Sequence, residues 1–413
     1  MDYLLIALGS HGDVHPFIGI GRALAARGHT VRVAANEAFG QTVERAGLGF
    51  VRLGTLDEYK QMMKNPDVWH QMKGPKAIME FVGRSLRTVY ETVRANASDD
   101  TILIGSSLAM GALCASEAHG YRMATVHLAP LCIRSSVTMP ILPGGMNMNL
   151  LPRFMREGFW KGADKWFIDP MVAPVLNTFR EELRLPPVVR FQQWWHAKML
   201  TIGLWPHWFF PRQGDYPEQV RLGGFVQYDE SDHISLDPDL VTWLKAGDKP
   251  IAFTPGSAML FGESFFQAAA DACVRLKRRG LLLTRHAEQI PKDLPDTVRH
   301  VSFAPFGQLL PHCGALVHHG GIGTTAQGLQ AGLPMLVMPM SHDQFDNAAI
   351  CKRLGVADWL SRRKFTARRV ANKLDRLLRS PDVAASCARV ADLASRDRAA
   401  DAVCDLLGTT FGS

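Results

Sequence analysis

An α/β protein with two parallel-sheet domains is predicted from three features of the sequence. Short apolar runs bounded by glycine alternate with longer amphipathic segments, the pattern of strands buried on both faces and covered by helices. The alternation breaks off in the middle of the chain and then starts again. In each half, one apolar run leads straight into a loop of small residues, 9–13 in the first and 320–325 in the second.

Residues 3–8 (YLLIAL) are the first strand, and 9–13 (GSHGD) the loop after it. Pro16 stands early in the next helix, where proline is tolerated. That helix buries Phe17, Ile18, Ile20, Leu24 and Ala25 and stops at Gly28. A strand at 29–34, a helix at 37–46 and a strand at 49–53 complete a Rossmann-like βαβαβ start. The pattern resumes with a strand at 101–105, a helix at 108–119 and a strand at 122–128, and the intervening 57–98 has a helical period. From 130 to 217 the regularity fails. Prolines are frequent there, and six of the nine tryptophans fall in it: Trp160, Trp166, Trp194, Trp195, Trp205 and Trp208. Core packing accounts for at least half of them, and the rest suit an apolar pocket.

The second half opens after Gly223 and Gly224 with an acidic, polar linker at 229–238. A strand at 250–254 runs into Pro255, Gly256 and Ser257, a second small-residue loop. A helix at 263–279 and strands at 281–284 and 298–303 follow, and then strands at 314–317 and 335–338. The tail from 366 is helical and ends near 407. The expected domains are therefore 1–217 and 218–390, with a closing helical segment at 391–413.

Composition narrows the function. At 47% hydrophobic and 21% charged, the chain is an ordinary globular protein rather than a disordered one. No apolar run approaches the roughly 20 residues a membrane span needs. The N-terminus lacks the basic region of a signal peptide and reads as a first strand. The seven cysteines are widely spaced and form no CxxC, as expected of reduced thiols in the cytoplasm. The net charge of +7 comes with no nucleic-acid motif, so a solvated basic surface is expected, with contact to an anionic membrane surface left open.

The stretch 318–348 carries the chemistry. Two histidines follow a strand, then three glycines within four positions (Gly320, Gly321, Gly323), then Thr324 and Thr325 at a helix start. Such a turn lets the backbone approach a ligand closely, and the amides of the first helical turn attract a diphosphate. Asp343, Gln344 and Asn347 come after the next strand and offer acceptors and donors to a polyhydroxylated ligand. A glycine turn alone serves equally well as a tight βα connection, whereas a phosphate cradle followed by an acid–amide pair points to a nucleotide-sugar.

This constellation resembles the donor-binding signature of the family 1 glycosyltransferases, and the resemblance extends over nearly the whole chain. It implies the GT-B architecture, two Rossmann-like domains facing across a cleft, with the last helix crossing back to the N-terminal domain. It implies that His319 contacts the diphosphate, that Gly321, Gly323, Thr324 and Thr325 cap the phosphates with Gly12 and Ser257 nearby, and that Asp343 and Gln344 hold the sugar hydroxyls. Phe303, heading FAPFGQLL, stands where family members stack an aromatic on the base, although a core phenylalanine at a strand end reads the same way. No DxD occurs at a suitable strand end, so neither a metal nor another cofactor is expected; histidine and helix dipole would serve instead.

In many family members the first loop carries a histidine three residues before its proline. Here that position is Asp13, within GSHGDVHP, a variant also found in sterol- and glycopeptide-type members. The partner aspartate of that histidine is replaced by Ser106. Asp13 is thus the expected base for an inverting transfer, with His11 and His15 as rivals and helix capping as the plain structural alternative. Ser106, His127, Met139 and Trp195 are the expected acceptor contacts. Within the family, GSHGDVHPFIGIGRAL, FQQWWH and SHDQFDNA are most similar to bacterial rhamnosyltransferases of the rhamnolipid type. That likeness implies dTDP-L-rhamnose as donor and a hydroxyacyl lipid as acceptor, and resemblance to the wider family implies UDP-glucose and phenolic or sterol acceptors as the alternative. The alternatives are an idle nucleotide-sugar-binding partner of another transferase and, more weakly, a dinucleotide oxidoreductase, whose GxGxxG spacing is missing.

Overall fold

A computed structural model describes residues 1–257 and 259–412 and divides the chain into two compact units. The first unit runs from Met1 to Val226 and takes back the chain from Arg398 onward; the second is the continuous stretch Gln227–Asp397.

The first unit is built on a seven-stranded parallel sheet: β1 (Asp2–Ile6), β2 (Thr30–Ala35), β3 (Gly49–Arg52), β4 (Thr101–Ser106), β5 (Arg122–His127), β6 (Leu200–Gly203) and β7 (Val220–Leu222), in the order β3-β2-β1-β4-β5-β6-β7. The central strand β4 is wholly buried, and its neighbours β1 and β5 are buried after their first residue, as their apolar sequences require. The chain winds away from β1 in both directions, so the switch point of the sheet lies between β1 and β4, where Ile6 pairs with Gly105. Open α/β sheets bind ligands outside the carboxyl ends of their strands at such a point.

Three features differ from the sequence reading. The first helix begins at His11, so residues 11–13 are helical and Pro16 lies inside the helix. The region 130–217, expected to be irregular, holds helices Arg153–Ala163 and Asp169–Glu182, joined without a break by the π-helical turn Asp164–Ile168. The unit also extends past 217, because the three-residue strand β7 pairs with β6 and keeps 220–222 in its sheet.

The helix Ala399–Phe411 completes this unit. Val403, Leu407 and Phe411 are buried, and Val403 packs so closely on Gly223 that a β-carbon there would overlap it. Burying such side chains stabilises by about 1.5–3 kcal/mol each. The exposed Arg27 ion pairs with Asp401 and Asp405 add little.

The second unit repeats the plan with six parallel strands: β8 (Ile251–Thr254), β9 (Gly280–Leu283), β10 (Val298–Val301), β11 (Ala315–His318), β12 (Met335–Val337) and β13 (Ala357–Trp359), ordered β10-β9-β8-β11-β12-β13. Its switch point lies between β8 and β11, where Thr254 pairs with His318. The sequence does not announce β13, a three-residue edge strand with Asp358 at its centre. The tail forms three helices, Ala367–Arg379, Pro381–Ser395 and the returning Ala399–Phe411.

Candidate functional site

Both switch points carry the residues singled out from sequence. In the second unit, β11 ends at His318, and His319 opens the loop that follows. His318 is completely buried and accepts from the Gly320 amide at 3.2 Å. The ring of His319 lies against two positions that lack side chains. A β-carbon on Gly256, in the loop after β8, would stand 2.7 Å from Cε1, and one on Gly321 would stand 2.4 Å from Nε2. Gly256 has φ +100° and Gly320 φ +95°, a region that favours glycine, so these turns are closed to other residues on two counts. Burial pushes the His319 imidazole down to about 4, so it is neutral near pH 7. Its Nδ1 is buried with no hydrogen-bond partner among the described residues. A buried ring nitrogen in that state costs free energy until something bonds to it.

The helix Ile322–Gln330 starts at Gly321, and open space surrounds the position a Gly323 side chain would take. Thr324 is half-buried at its first turn. Thr325 does not fit its expected part: it is buried, and its hydroxyl donates to the Gly321 carbonyl at 3.0 Å one turn back. Ser257 is exposed.

Asp343 stands immediately before the helix Gln344–Arg353 and after His342, which takes the left-handed conformation at φ 55°. Asn347 links this loop to the glycine turn by donating to the Gly320 carbonyl at 2.9 Å and to Asp343 Oδ2 at 2.7 Å. Gln344 is buried, with its Oε1 accepting from the amides of Met340 at 2.8 Å and Ser341 at 3.2 Å, which leaves the amino group as its donor end. Phe303 is 38% exposed, too open for a core residue. The Arg285 guanidinium lies over its ring at 4.7 Å, making a flat cationic platform that the sequence did not reveal. Asn347 was visible as a polar residue, but its bridging role depends on a contact with Gly320 that the sequence does not show.

In the first unit, Gly9 has φ +124°, and the Asp13 carboxyl fills the space beside it. Its Oδ2 accepts from the Ser10 amide at 2.7 Å and the Ser10 hydroxyl at 3.0 Å. Ser10 is the cap and Asp13 the third helical residue, so the capping geometry differs from the one anticipated for Asp13. Burial raises the Asp13 carboxyl above its ordinary value against the opposing hydrogen bonds from Ser10. His11 and His15 are one turn apart on the same helix with ring centroids 5.3 Å apart, and His11 also meets Phe39 at 5.0 Å; Gly12 is exposed.

Ser106 ends β4 and binds the Leu8 amide through its hydroxyl at 3.3 Å, tying the loops after β1 and β4 together. Beside it, Ser107 meets His127 Nδ1 at 2.8 Å, His127 Nε2 meets His196 Nδ1 at 2.9 Å, and Trp195 donates to the Ser107 carbonyl at 2.6 Å. His127 is completely buried and held well below the usual imidazole range by burial and by His196. Met139 is also buried, its backbone clamped by Asn149. Trp195, half-buried, is therefore the most accessible of the four expected acceptor contacts.

Comparison with known proteins bears on these two sites. A model of the Glycosyltransferase family 28 N-terminal domain matches residues 3–136, and a model of the erythromycin biosynthesis protein CIII-like C-terminal domain matches 280–407. An uncharacterised glycosyltransferase of Mycobacterium leprae is 28% identical over 98% of this chain and 96% of its own length. A sterol 3-beta-glucosyltransferase of Arabidopsis thaliana is 30% identical over 83% of this chain, which spans only 55% of that protein. The solved structure of a spinosyn rhamnosyltransferase complexed with thymidine diphosphate matches with a TM-score of 0.70 at 17% identity, over 98% of this chain and 100% of that one.

Proposed function

The chain belongs to the family 1 glycosyltransferases of GT-B fold, and from that premise we propose that it is an inverting, metal-independent enzyme moving a sugar from a nucleoside diphosphate to a hydroxyl of a hydrophobic small molecule. The observation that carries this reading is the neutral His319 imidazole, seated against Gly256 and Gly321 with an unbonded ring nitrogen at a helix N-terminus. A diphosphate oxygen supplies the missing acceptor, and its charge favours protonation of the ring as the leaving group departs. The glycine turn and helix amides share that charge, the part a metal plays in other transferases.

Asp13 takes the proton from the acceptor hydroxyl. The oxygen then bonds to the anomeric carbon as the bond from that carbon to the diphosphate breaks, and configuration inverts. A carboxyl raised by burial is a better-matched base than an ordinary aspartate. The Arg285–Phe303 pair offers the nucleotide base a stacking platform, and Gln344 with Asp343 offers polar groups to the sugar. The thymidine diphosphate in the spinosyn relative and the sterol acceptor of the plant relative support a dTDP- or UDP-linked donor and an apolar acceptor. All seven cysteines are free thiols, as a cytoplasmic protein would keep them, and no described helix is long and apolar enough to cross a membrane.

The test is incubation with dTDP-rhamnose and UDP-glucose, each with sterol, phenolic and hydroxyacyl acceptors, read by mass spectrometry with and without chelator. Chelator-insensitive product of inverted configuration is expected. A product of retained configuration, loss of activity with chelator, or no transfer or donor hydrolysis from any combination would overturn the reading.

A further inference from the structure

The helix Arg153–Ala163 and the π-turn Asp164–Ile168 present one face to the first unit and a different one outward. The inner face is fixed by its contacts. Trp160 Nε1 donates to the Ser135 carbonyl at 3.0 Å, Arg156 donates to the Val137 carbonyl at 2.8 Å, and Asp164 pairs with Arg134. The loop receiving them is itself held by Asp215, which accepts from Ser135 and Ser136.

Two neighbouring outer stripes follow from helical spacing: Phe154, Gly158, Lys161, Lys165, and Met155, Phe159, Gly162, Trp166. Among the described residues, none lies where a side chain at Gly158 or Gly162 would project. Phe154 is 72% exposed, Trp166 68%, Phe167 72%, and Leu150, just before the helix, 85%. Single exposed apolar residues are ordinary on protein surfaces, but large aromatic ones gathered on one element are not.

The charges on this element are sorted. Its only two carboxylates, Glu157 and Asp164, lie on the inner side, paired with Arg153 and Arg134. The outer stripes carry Lys161 and Lys165 and no acid, and the Lys165 ammonium sits over the Trp166 ring at 4.9 Å. A symmetric contact between two copies across this face would bring the lysines of both copies together, which disfavours a dimer. An apolar face carrying aromatics and lysines, too short and too charged to span, matches a helix lying in the plane of an anionic bilayer. We propose that the outer face of residues 150–167 docks the protein on an anionic phospholipid surface, the phase in which an apolar acceptor dissolves.

The test is flotation of the full chain with vesicles of phosphatidylglycerol and phosphatidylcholine in equal parts, against vesicles of phosphatidylcholine alone. Binding to the anionic vesicles that weakens as salt rises is expected. The variant Phe154→Ser/Trp166→Ser/Phe167→Ser should bind at least about tenfold more weakly, and Lys161→Glu/Lys165→Glu should also lose binding. Because all five side chains are outside the candidate site, both variants should keep the wild-type melting temperature and nucleoside diphosphate affinity. The proposal is overturned if the wild type ignores anionic vesicles, or if the triple variant binds them as well as the wild type does. It is also overturned if Arg368→Glu/Arg369→Glu, in the second unit, is what abolishes binding. A wild-type dimer that the triple variant dissolves, with no vesicle binding, would make the face a contact between copies instead.

Discussion

In the first unit, the chain leaves β1 through a glycine at φ +124° and folds a carboxyl from the first turn of the next helix against it; in the second, it leaves β8 through a glycine at φ +100° and receives an imidazole from the loop after β11. The sheets have the same topology about their switch points, and a glycine makes room for a titratable group at each. The chemistry is opposite. Burial raises the Asp13 carboxyl and lowers the His319 imidazole, in both cases favouring the uncharged form. A carboxyl so placed suits taking up a proton, and a neutral imidazole suits donating to an anion. On the proposed function, one scaffold serves as a base site and as an anion site by changing which side chain meets the glycine.

The comparison can be broken most forcefully at Asp13. Asp13→Asn keeps an acceptor for Ser10 but removes the basicity, so transfer should fall about 10²–10⁴-fold with nucleoside diphosphate affinity unchanged. In the wild type, kcat/KM should fall as pH drops through a value above that of an ordinary aspartate. If His11→Ala or His15→Ala abolishes transfer while Asp13→Asn does not, the base is a histidine. His319→Ala should cost about 10²–10³-fold in kcat, comparable to losing one oxyanion donor; normal turnover in a folded variant would remove His319 from the mechanism.

The two glycines give a sharper test. Gly9→Ala and Gly256→Ala each force a β-carbon into left-handed backbone and into a titratable group, which should destabilise the protein by about 1–3 kcal/mol. Gly256→Ala should also weaken diphosphate binding by calorimetry, whereas Gly9→Ala should lower only turnover. The same loss in both would mean that the switch points do not divide the work.

The smallest effect near neutrality concerns stability. Each unit buries a histidine pair held neutral: His127 with His196, the latter at about 4, and His318 with His319, at about 3 and about 4. These values lie below the ordinary 6.5, so the unfolded chain binds more protons than the native one, and stability present above about pH 6.5 is lost as pH falls toward 4. Urea midpoints should drop between pH 7 and pH 5, and a nucleoside diphosphate should restore part of the loss by favouring protonated His319. A midpoint independent of pH over that range would contradict the assigned neutral forms.

What the sequence disclosed follows the same division. The loop after β1 is local, with Gly9, Ser10 and Asp13 adjacent in the chain, and it was legible apart from the helix starting at His11 instead of nearer Pro16. The long apolar strands were legible because continuous burial leaves an unbroken signature. By contrast, β7 and β13 are three-residue edge strands with a charged residue at the centre, and β6 lies in the stretch where the alternation fails. Pro170, Pro174 and the glycines at 158 and 162 hid the long helical segment, which accommodates the prolines around and after its π-turn. The seat of His319 was invisible, because half of it is Gly256, brought in from another strand. Likewise, the hydroxyl of Thr325 looked available until the helix turned it back on Gly321.

The return of the chain to its starting unit has a consequence for biosynthesis. On the ribosome, all of Gln227–Asp397 emerges before Val403, Leu407 and Phe411. The second unit can therefore close while its elder neighbour still shows the apolar strip around Gly223 that the last helix will cover. The order of completion reverses the order of synthesis. A chain released at residue 397 should carry a finished second unit and a sticky, chaperone-dependent first one, a difference that limited proteolysis of the truncated protein would display.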